Sequence, residues 1–304
     1  MKFRYTLLPI CLCFFGCNLT QQYIDKSENF YHDLNTKSTH HKLDSSTIKM
    51  RKVGKGEINL VLIHGFGPVP QIQWQDLVDE LHNEFTLYIP DLIFFGESTS
   101  DYPIYDPRFQ ARQLKKTLER EGIEHMWIAG VSYGGLVAGI FAHEYADKTE
   151  KLILIDALSK FASRSHADSL ARVYGYDQIS EILLPTNGKA LKDLFRITFH
   201  DPYNYPAFAL NKPSQILYSN QWEHKEELLQ YLFSHEEKIK NWDLRYSGPV
   251  TIIWGKEDKL IPLKTGYQLN EYYNGSEIEV IPDGAHVINM ENAREVGEII
   301  KGLK

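Results

Sequence analysis

The sequence predicts an α/β fold built on an open, mostly parallel sheet with helices on both faces. Three observations carry this prediction. Short, almost wholly apolar runs recur along the chain: Ile58–Ile63, Thr86–Pro90, Met126–Val131, Lys151–Ile155, Val250–Trp254 and Glu277–Ile281. Runs without polar alternation suit strands that are covered on both faces. Helix-length segments separate the first of these runs. Trp74, Leu77, Val78 and Leu81 repeat at i, i+3, i+4, i+7, and Phe109 to Glu121 and Gly134 to Tyr145 are of similar length. Strand–helix alternation of this kind packs helices on both sides of a parallel sheet.

Taken from the start, Met1-Lys2-Phe3-Arg4 carries two positive charges and Tyr5 to Phe15 is apolar. That run is short of the ~20 residues a helix needs to cross a bilayer core, so residues 1–16 read as a secretory signal peptide. Phe14-Phe15-Gly16-Cys17 resembles the lipobox of bacterial lipoproteins, with Phe14 where Leu is usual. The resemblance implies lipidation of Cys17, export across the inner membrane and anchoring with the protein facing the periplasm or cell exterior. An ordinary cleaved signal is the alternative. The three cysteines, Cys11, Cys13 and Cys17, all lie here. The rest of the chain therefore has no thiol for a disulfide, a Cys-ligated zinc or a Cys nucleophile.

Residues 17–45 are polar without a sustained apolar period and read as a tether, with His40-His41 a solvated pair. The folded domain is expected over residues 46–304. Ile48 to Val53 alternates as a strand, and Gly54-Lys55-Gly56 is a turn. Between Ile155 and Val250 no buried-strand run occurs, and Pro185, Pro202, Pro206 and Pro213 interrupt a segment rich in Tyr, Phe, Leu and His. Such a length does not stay structureless inside a domain. It reads as a mostly helical insertion over about residues 158–247.

Composition narrows the function. The 304 residues are 43% hydrophobic and 24% charged, with 33 basic against 40 acidic residues, a net charge of −7. That balance excludes a disordered chain, a collagen-like fibre and a multi-span membrane protein. With no basic cluster the chain lacks the means to displace counterions from nucleic acid. No H-E-x-x-H and no strand-borne G-x-G-x-x-G is present, so neither a metal nor a cofactor is expected. The oligomeric state is not legible.

Gly130-Val131-Ser132-Tyr133-Gly134 follows a buried-strand run and precedes a helical one. That is the setting of a nucleophile elbow, where a serine on a strained turn stands clear of the sheet. Side chains at Gly130, Gly134 or Gly135 would crowd the neighbouring strand and helix, and the helix N-terminus adds partial positive charge. A serine hydroxyl needs a base. His286, in the loop after Glu277–Ile281, suits that role better than His125 or His143. Asp258, just past Val250–Trp254, is positioned to orient the base, and Asp156, just past Lys151–Ile155, is its rival. The oxyanion needs backbone donors. Tyr133 N–H supplies one, and Phe66 N–H, in His64-Gly65-Phe66-Gly67, the other. His64 is expected to shape that loop, Asp91 to pin its own, and Glu257 to point elsewhere.

From about Arg51 to Lys304 the chain resembles the α/β-hydrolase superfamily, in its branch with an HG-x oxyanion loop. The resemblance rests on the His64 loop, Pro90-Asp91-Leu92 with Phe95-Gly96-Glu97-Ser98, the Ser132 elbow, Trp254–Pro262 and Gly284–Glu291, in the order Ser132…Asp258…His286. It implies an eight-stranded, mostly parallel sheet with a cap domain inserted after strand six. Three departures stand out: the oxyanion loop is not HGGG, Phe94-Phe95 replaces Pro-Gly-Phe, and Ala293 stands where Pro is common. The combined expectation is a serine hydrolase that cleaves a small-molecule carboxylic ester with an apolar part. The aromatic insertion (Phe161, Phe195, Phe199, Tyr203, Phe208, Trp222) motivates the apolar part. C–C bond, amide or thioester hydrolysis on the same residues is one alternative, and a non-catalytic ligand-binding protein is another. A Ser at the elbow argues against epoxide hydrolases and haloalkane dehalogenases, which use an Asp there.

Overall fold

A computed structural model of the chain describes residues 16–67 and 69–304, with backbone only for residues 16–18. Its centre is a sheet of strands β1 (Lys37–Lys42), β2 (Ser46–Gly54), β3 (Ile58–Ile63), β4 (Phe85–Pro90), β6 (Met126–Val131), β7 (Thr149–Ile155), β8 (Val250–Gly255) and β9 (Glu277–Ile281). In space these run β1-β2-β4-β3-β6-β7-β8-β9, and a two-residue strand β5 (Thr99–Ser100) pairs with β2. The expected eight strands form this path, and β5 makes a ninth. Pairings of β2 with β1, β4 and β5 are antiparallel, and the remaining ones are parallel.

Each parallel strand divides its side chains between two cores, because successive residues point to opposite faces. Leu60 and Leu62 of β3 join Trp74, Leu77 and Val78 of α2 (Pro70–Leu81) and Val296 and Ile300 of α13 (Ala293–Gly302) on one face. Val61 and Ile63 face α3 (Pro107–Arg120) and α4 (Tyr133–Glu144) on the other, through Leu114, Leu118, Val137 and Phe141. This two-sided burial is why the strands read as unbroken apolar runs. Helix α11 (Leu263–Tyr272) joins the α3–α4 side through Leu269.

Between β7 and β8 lie six helices: α5 (Arg164–Val173), α6 (Ser180–Leu183), α7 (Gly188–Thr198), α8 (Ala207–Tyr218), α9 (Trp222–Ser234) and α10 (Glu236–Lys240). Counting along the eight-strand path, β7 is the sixth strand in chain order, which is where the cap was expected.

The expected tether is corrected by the structure. Helix α1 spans Gly16–Asp33 and β1 follows it. Strand β1 pairs with β2 from Lys37↔Lys52 to Lys42↔Thr47. Its side chains, Lys-Ser-Thr-His-His-Lys, are almost all exposed, so backbone pairing holds it and no apolar period marks it. His40 and His41 are accordingly not a free pair, since they contact Glu97 and Glu121 at 3.0 and 2.6 Å. Helix α1 packs through Thr20, Ser27 and Tyr31, a stripe with little hydrophobic signal. The Tyr31 hydroxyl donates to Gln71 O at 2.8 Å, and Glu28 accepts from Gln71 at 2.6 Å and from Arg51 at 3.4 Å. Of the expected signal peptide over residues 1–16, all but Gly16 lies outside the described residues, as does the Cys17 side chain. Among the described residues no helix is long and apolar enough to cross a membrane.

Because Tyr31 is 2% exposed, Tyr31→Ala is expected to cost about 3–5 kcal/mol, as for other large aromatic truncations in cores. Urea unfolding measures this, and a loss within experimental error would return α1 to the status of a tether.

Candidate active site

Ser132 occupies the turn between β6 and α4 at φ 52, ψ −124. A non-glycine residue with positive φ is strained, and three backbone bonds hold this one in place. Ser132 N–H donates to Ile155 O at 3.1 Å, and Ser132 O accepts from Gly135 and Leu158 N–H at 2.8 Å each. The flanking glycines are required by contact. A Cβ on Gly130 would sit 2.2 Å from Gly134 O, and one on Gly134 would sit 2.1 Å from Ile63 O. One on Gly135 would meet the Ala157 Cβ at 2.3 Å.

His286 and Asp258 come together. The His286 Nδ1 lies 2.8 Å from Asp258 Oδ2, and both residues are about 5% exposed. The other Asp258 oxygen accepts from Leu260 and Ile261 N–H at 2.8 and 2.9 Å. With both Asp258 oxygens accepting, the His286 proton belongs on Nδ1, which leaves Nε2 with a lone pair. Asp156 takes no part in this contact. Its Oδ1 accepts from Gly255 N–H at 2.8 Å. Burial, reinforced by the nearby Asp258 carboxylate, pushes the Asp156 carboxyl well above the usual range. Asp156 thus ties the end of β7 to the end of β8.

The His64–Gly67 loop, expected to supply an oxyanion donor, is held by contacts from several elements. Gly65 N–H donates to Gln73 Oε1 at 2.7 Å, which leaves Phe66 N–H as the next amide of the turn. The Phe66 ring packs edge-on to Tyr133 with centroids 5.1 Å apart, and to Phe95 at 5.3 Å. The two residues expected to supply oxyanion donors are therefore neighbours. A Cβ on Gly65 would lie 2.9 Å from the Ser132 Cβ, so only glycine allows the loop this close to the serine. His64 Nε2 accepts from Leu92 N–H at 2.9 Å, which places the proton on Nδ1, the donor to Gly65 O at 2.7 Å. Full burial, outweighing the Gly65 contact, pushes the His64 imidazole down to about 4. His64 is neutral scaffolding. Asp91 pins its loop by accepting from Arg51 at 2.9 Å and Glu97 N–H at 3.0 Å.

Ser132, His286, Phe66 and Tyr133 line one cavity of about 1970 Å³. Its cap wall is apolar, with Leu191, Leu194, Leu229 and Leu232 facing it. Phe161, Phe195, Phe199 and Tyr203 also line it. Trp222 instead packs into the cap with its indole N–H on Leu184 O at 3.2 Å, and Phe208 is 62% exposed. The cap is clasped to the histidine loop. Thr198 O accepts from His286 and Val287 N–H at 2.9 and 3.2 Å, and Glu291 accepts from His200 and Asp201 N–H at 2.8 and 3.2 Å. Glu257 does point elsewhere, to His200 Nδ1 at 3.0 Å. Sequence reasoning missed Gln73, Thr198 and this role of Glu291. It also missed Leu19, Tyr23 and Lys26 of α1, which line the cavity too. Among the described residues no group of three His, Cys, Asp or Glu side chains is close enough to hold a metal.

This fold and site define a class. Residues 58–293 match the family model for the alpha/beta hydrolase fold, and the chain belongs to that family. Among curated relatives, a 2-hydroxy-6-oxo-2,4-heptadienoate hydrolase from Pseudomonas putida is 23% identical over 258 residues, 81% of this chain and 88% of that protein. Lipase 3 of Moraxella sp. (strain TA144) is 24% identical over 247 residues, 81% of this chain and 76% of that one. Among solved structures, a membrane phospholipase A described as a bacterial virulence factor superposes with a TM-score of 0.74 at 20% identity. That superposition covers 96% of this chain and 92% of the other.

The His64 imidazole titrates near 4 when folded and near 6.5 when free. Between these values the unfolded chain binds the extra proton, so His64 stabilises the fold above pH 6.5 and loses that contribution as pH falls toward 4. The melting temperature of the wild type is expected to fall more steeply over that window than that of His64→Asn. Parallel pH profiles would contradict the assignment.

Proposed function

We propose that the protein is a serine hydrolase of carboxylic esters that works through an acyl-enzyme on Ser132. The observation that carries this reading is the His286–Asp258 contact at 2.8 Å beside a cavity that Ser132 also lines. In the reading, His286 Nε2 removes the Ser132 hydroxyl proton as Oγ attacks the acyl carbonyl, and Asp258 stabilises the imidazolium that results. Phe66 and Tyr133 N–H receive the oxyanion. Tyr133 is the first residue of α4, where an amide has no partner within the helix and the helix dipole favours negative charge. His286 then delivers its proton to the leaving alkoxide. Water, deprotonated by the same imidazole, attacks the acyl-enzyme and releases the acid and the serine.

The apolar cap wall supports an ester with an apolar acyl or alcohol part, since such a site draws binding energy from buried hydrocarbon. The Moraxella lipase points the same way. The likeness to a 2-hydroxy-6-oxo-2,4-heptadienoate hydrolase supports C–C bond hydrolysis on the same residues as a second reading. Export and anchoring through Cys17 complete the proposal, supported by Lys2, Arg4 and the apolar Tyr5–Phe15 run.

Steady-state kinetics on p-nitrophenyl esters of graded acyl length test the proposal. Wild type is expected to turn them over. Asp258→Asn is expected to lower kcat by about 10⁴-fold, and Ser132→Ala by at least that much, as in other sites of this geometry. Turnover of a vinylogous diketone but of no ester would select the second reading. Full ester turnover by Ser132→Ala would remove the serine from the mechanism.

A further inference from the structure

Helix α1 does more than complete the fold. Leu19, Tyr23 and Lys26 line the same cavity as Ser132, as do Tyr203 and Pro206 from the segment that leads into α8. Residues that both line a cavity and remain exposed mark its mouth. Leu19, Tyr23 and Tyr203 are 46%, 50% and 56% exposed, and Phe208, at the start of α8, is 62% exposed. Helices α1 and α8 pack on each other. Tyr23 and Tyr203 are close enough that, after partial burial and Asp76, Tyr203 helps push the Tyr23 hydroxyl up to about 12. Leu19, Tyr23 and Tyr203 therefore gather at one rim of the cavity, with Phe208 exposed on the helix that packs against α1, and an exposed group of large hydrophobics calls for a partner.

The chain itself indicates which partner. The twenty residues from Tyr5 to Ile24 contain no Asp, Glu, Lys or Arg, and the apolar run Tyr5–Phe15 ends one residue before α1 begins. Whatever holds that run, Leu19 follows within four residues of its end. Tyrosines with one face apolar and one hydroxyl wet are suited to the boundary between lipid headgroups and acyl chains. A single lipid anchor binds a membrane only marginally, and a second contact is needed for stable attachment. For a chain lipidated at Cys17 as proposed above, the exposed Leu19 and Tyr23, two and six residues further on, supply that contact.

We propose that the rim formed by Leu19, Tyr23, Tyr203 and Phe208 docks on a lipid bilayer, so that the cavity opens onto the membrane and takes an acyl ester from it. The docking surface rests on the exposed rim and the charge-free run from Tyr5 to Ile24; the substrate class rests on the ester-hydrolase reading above. Acyl chains leaving the bilayer would meet the apolar cap wall directly and reach Ser132 without crossing water.

The test uses the full chain in phosphatidylcholine vesicles whose acyl chains carry bromine, which quenches tryptophan on contact. Phe208→Trp adds a reporter at the rim. Asn274→Trp adds one on the exposed loop that leads into β9, at the opposite end of the parallel strands from the cavity. The emission added by Phe208→Trp is expected to be mostly lost, and that added by Asn274→Trp to be retained. Failure of the wild-type chain to bind vesicles, equal quenching at both positions, or a blue-shifted but unquenched Phe208→Trp signal would each overturn the proposal. The last of these would mean that a second protein copy covers the rim. Turnover of a soluble ester by the wild type is scored separately. Quenching at position 208 without any turnover keeps the docking surface and removes the ester reading, whereas turnover without quenching does the reverse.

Discussion

The backbone strain at Ser132 organises the rest of the molecule. A residue at positive φ costs on the order of 1–3 kcal/mol, and it persists only where its surroundings leave no alternative. Here the constraint is supplied by β7, whose Ile155 carbonyl and following Leu158 amide grip Ser132 on both sides. The same segment carries Asp156, itself at φ 41, which binds the Gly255 amide at the end of β8. The loop after β8 carries Asp258, and the loop after β9 carries His286. A chain of contacts thus runs from the serine turn through β7 to the end of β8, which leads to Asp258. The order of parallel strands in the sheet brings Ser132 and His286, far apart in sequence, to one cavity, with Asp258 held against His286.

The cap is part of that assembly. Its Thr198 carbonyl is the acceptor for both His286 and Val287 N–H, and its 200–201 amides end on Glu291 from the helix that follows the histidine loop. The residues that shape the cavity roof are therefore tied to the backbone of His286. A shift of α7 would change the volume of the cavity and the position of His286 together.

Much of this was legible in the sequence because the physics was local. The central strands announce themselves as apolar runs, since both of their faces are covered, and Gly130-Val131-Ser132-Tyr133-Gly134 announces itself because only small residues fit where Gly134 approaches Ile63 O. Chain order did not choose between Asp258 and Asp156, since both lie between Ser132 and His286; the 2.8 Å contact of Asp258 with His286 does. What escaped was held by backbone or by polar contacts across long separations. Strand β1 is a row of exposed polar side chains fastened by its ladder to β2, so periodicity had nothing to detect. Helix α1 turns Thr20, Ser27 and Tyr31 inward, a stripe that no hydrophobic pattern flags, and its anchors at Gln71 and Arg51 lie decades of residues away. Gln73 was hidden for the same reason: its role is a single hydrogen bond to Gly65 from the face of a helix read only for its apolar stripe.

The central claim is that one hydroxyl in this cavity is made nucleophilic by an imidazole held against a carboxylate. Peptide mapping after exposure to a fluorophosphonate tests it most directly, because the reagent bonds to an activated serine without requiring the right substrate. The account predicts a covalent phosphonyl adduct on Ser132, with labelling abolished in His286→Ala under conditions where circular dichroism shows that variant to be folded. Equal labelling of folded His286→Ala, or an adduct on another serine with Ser132 untouched, would contradict it.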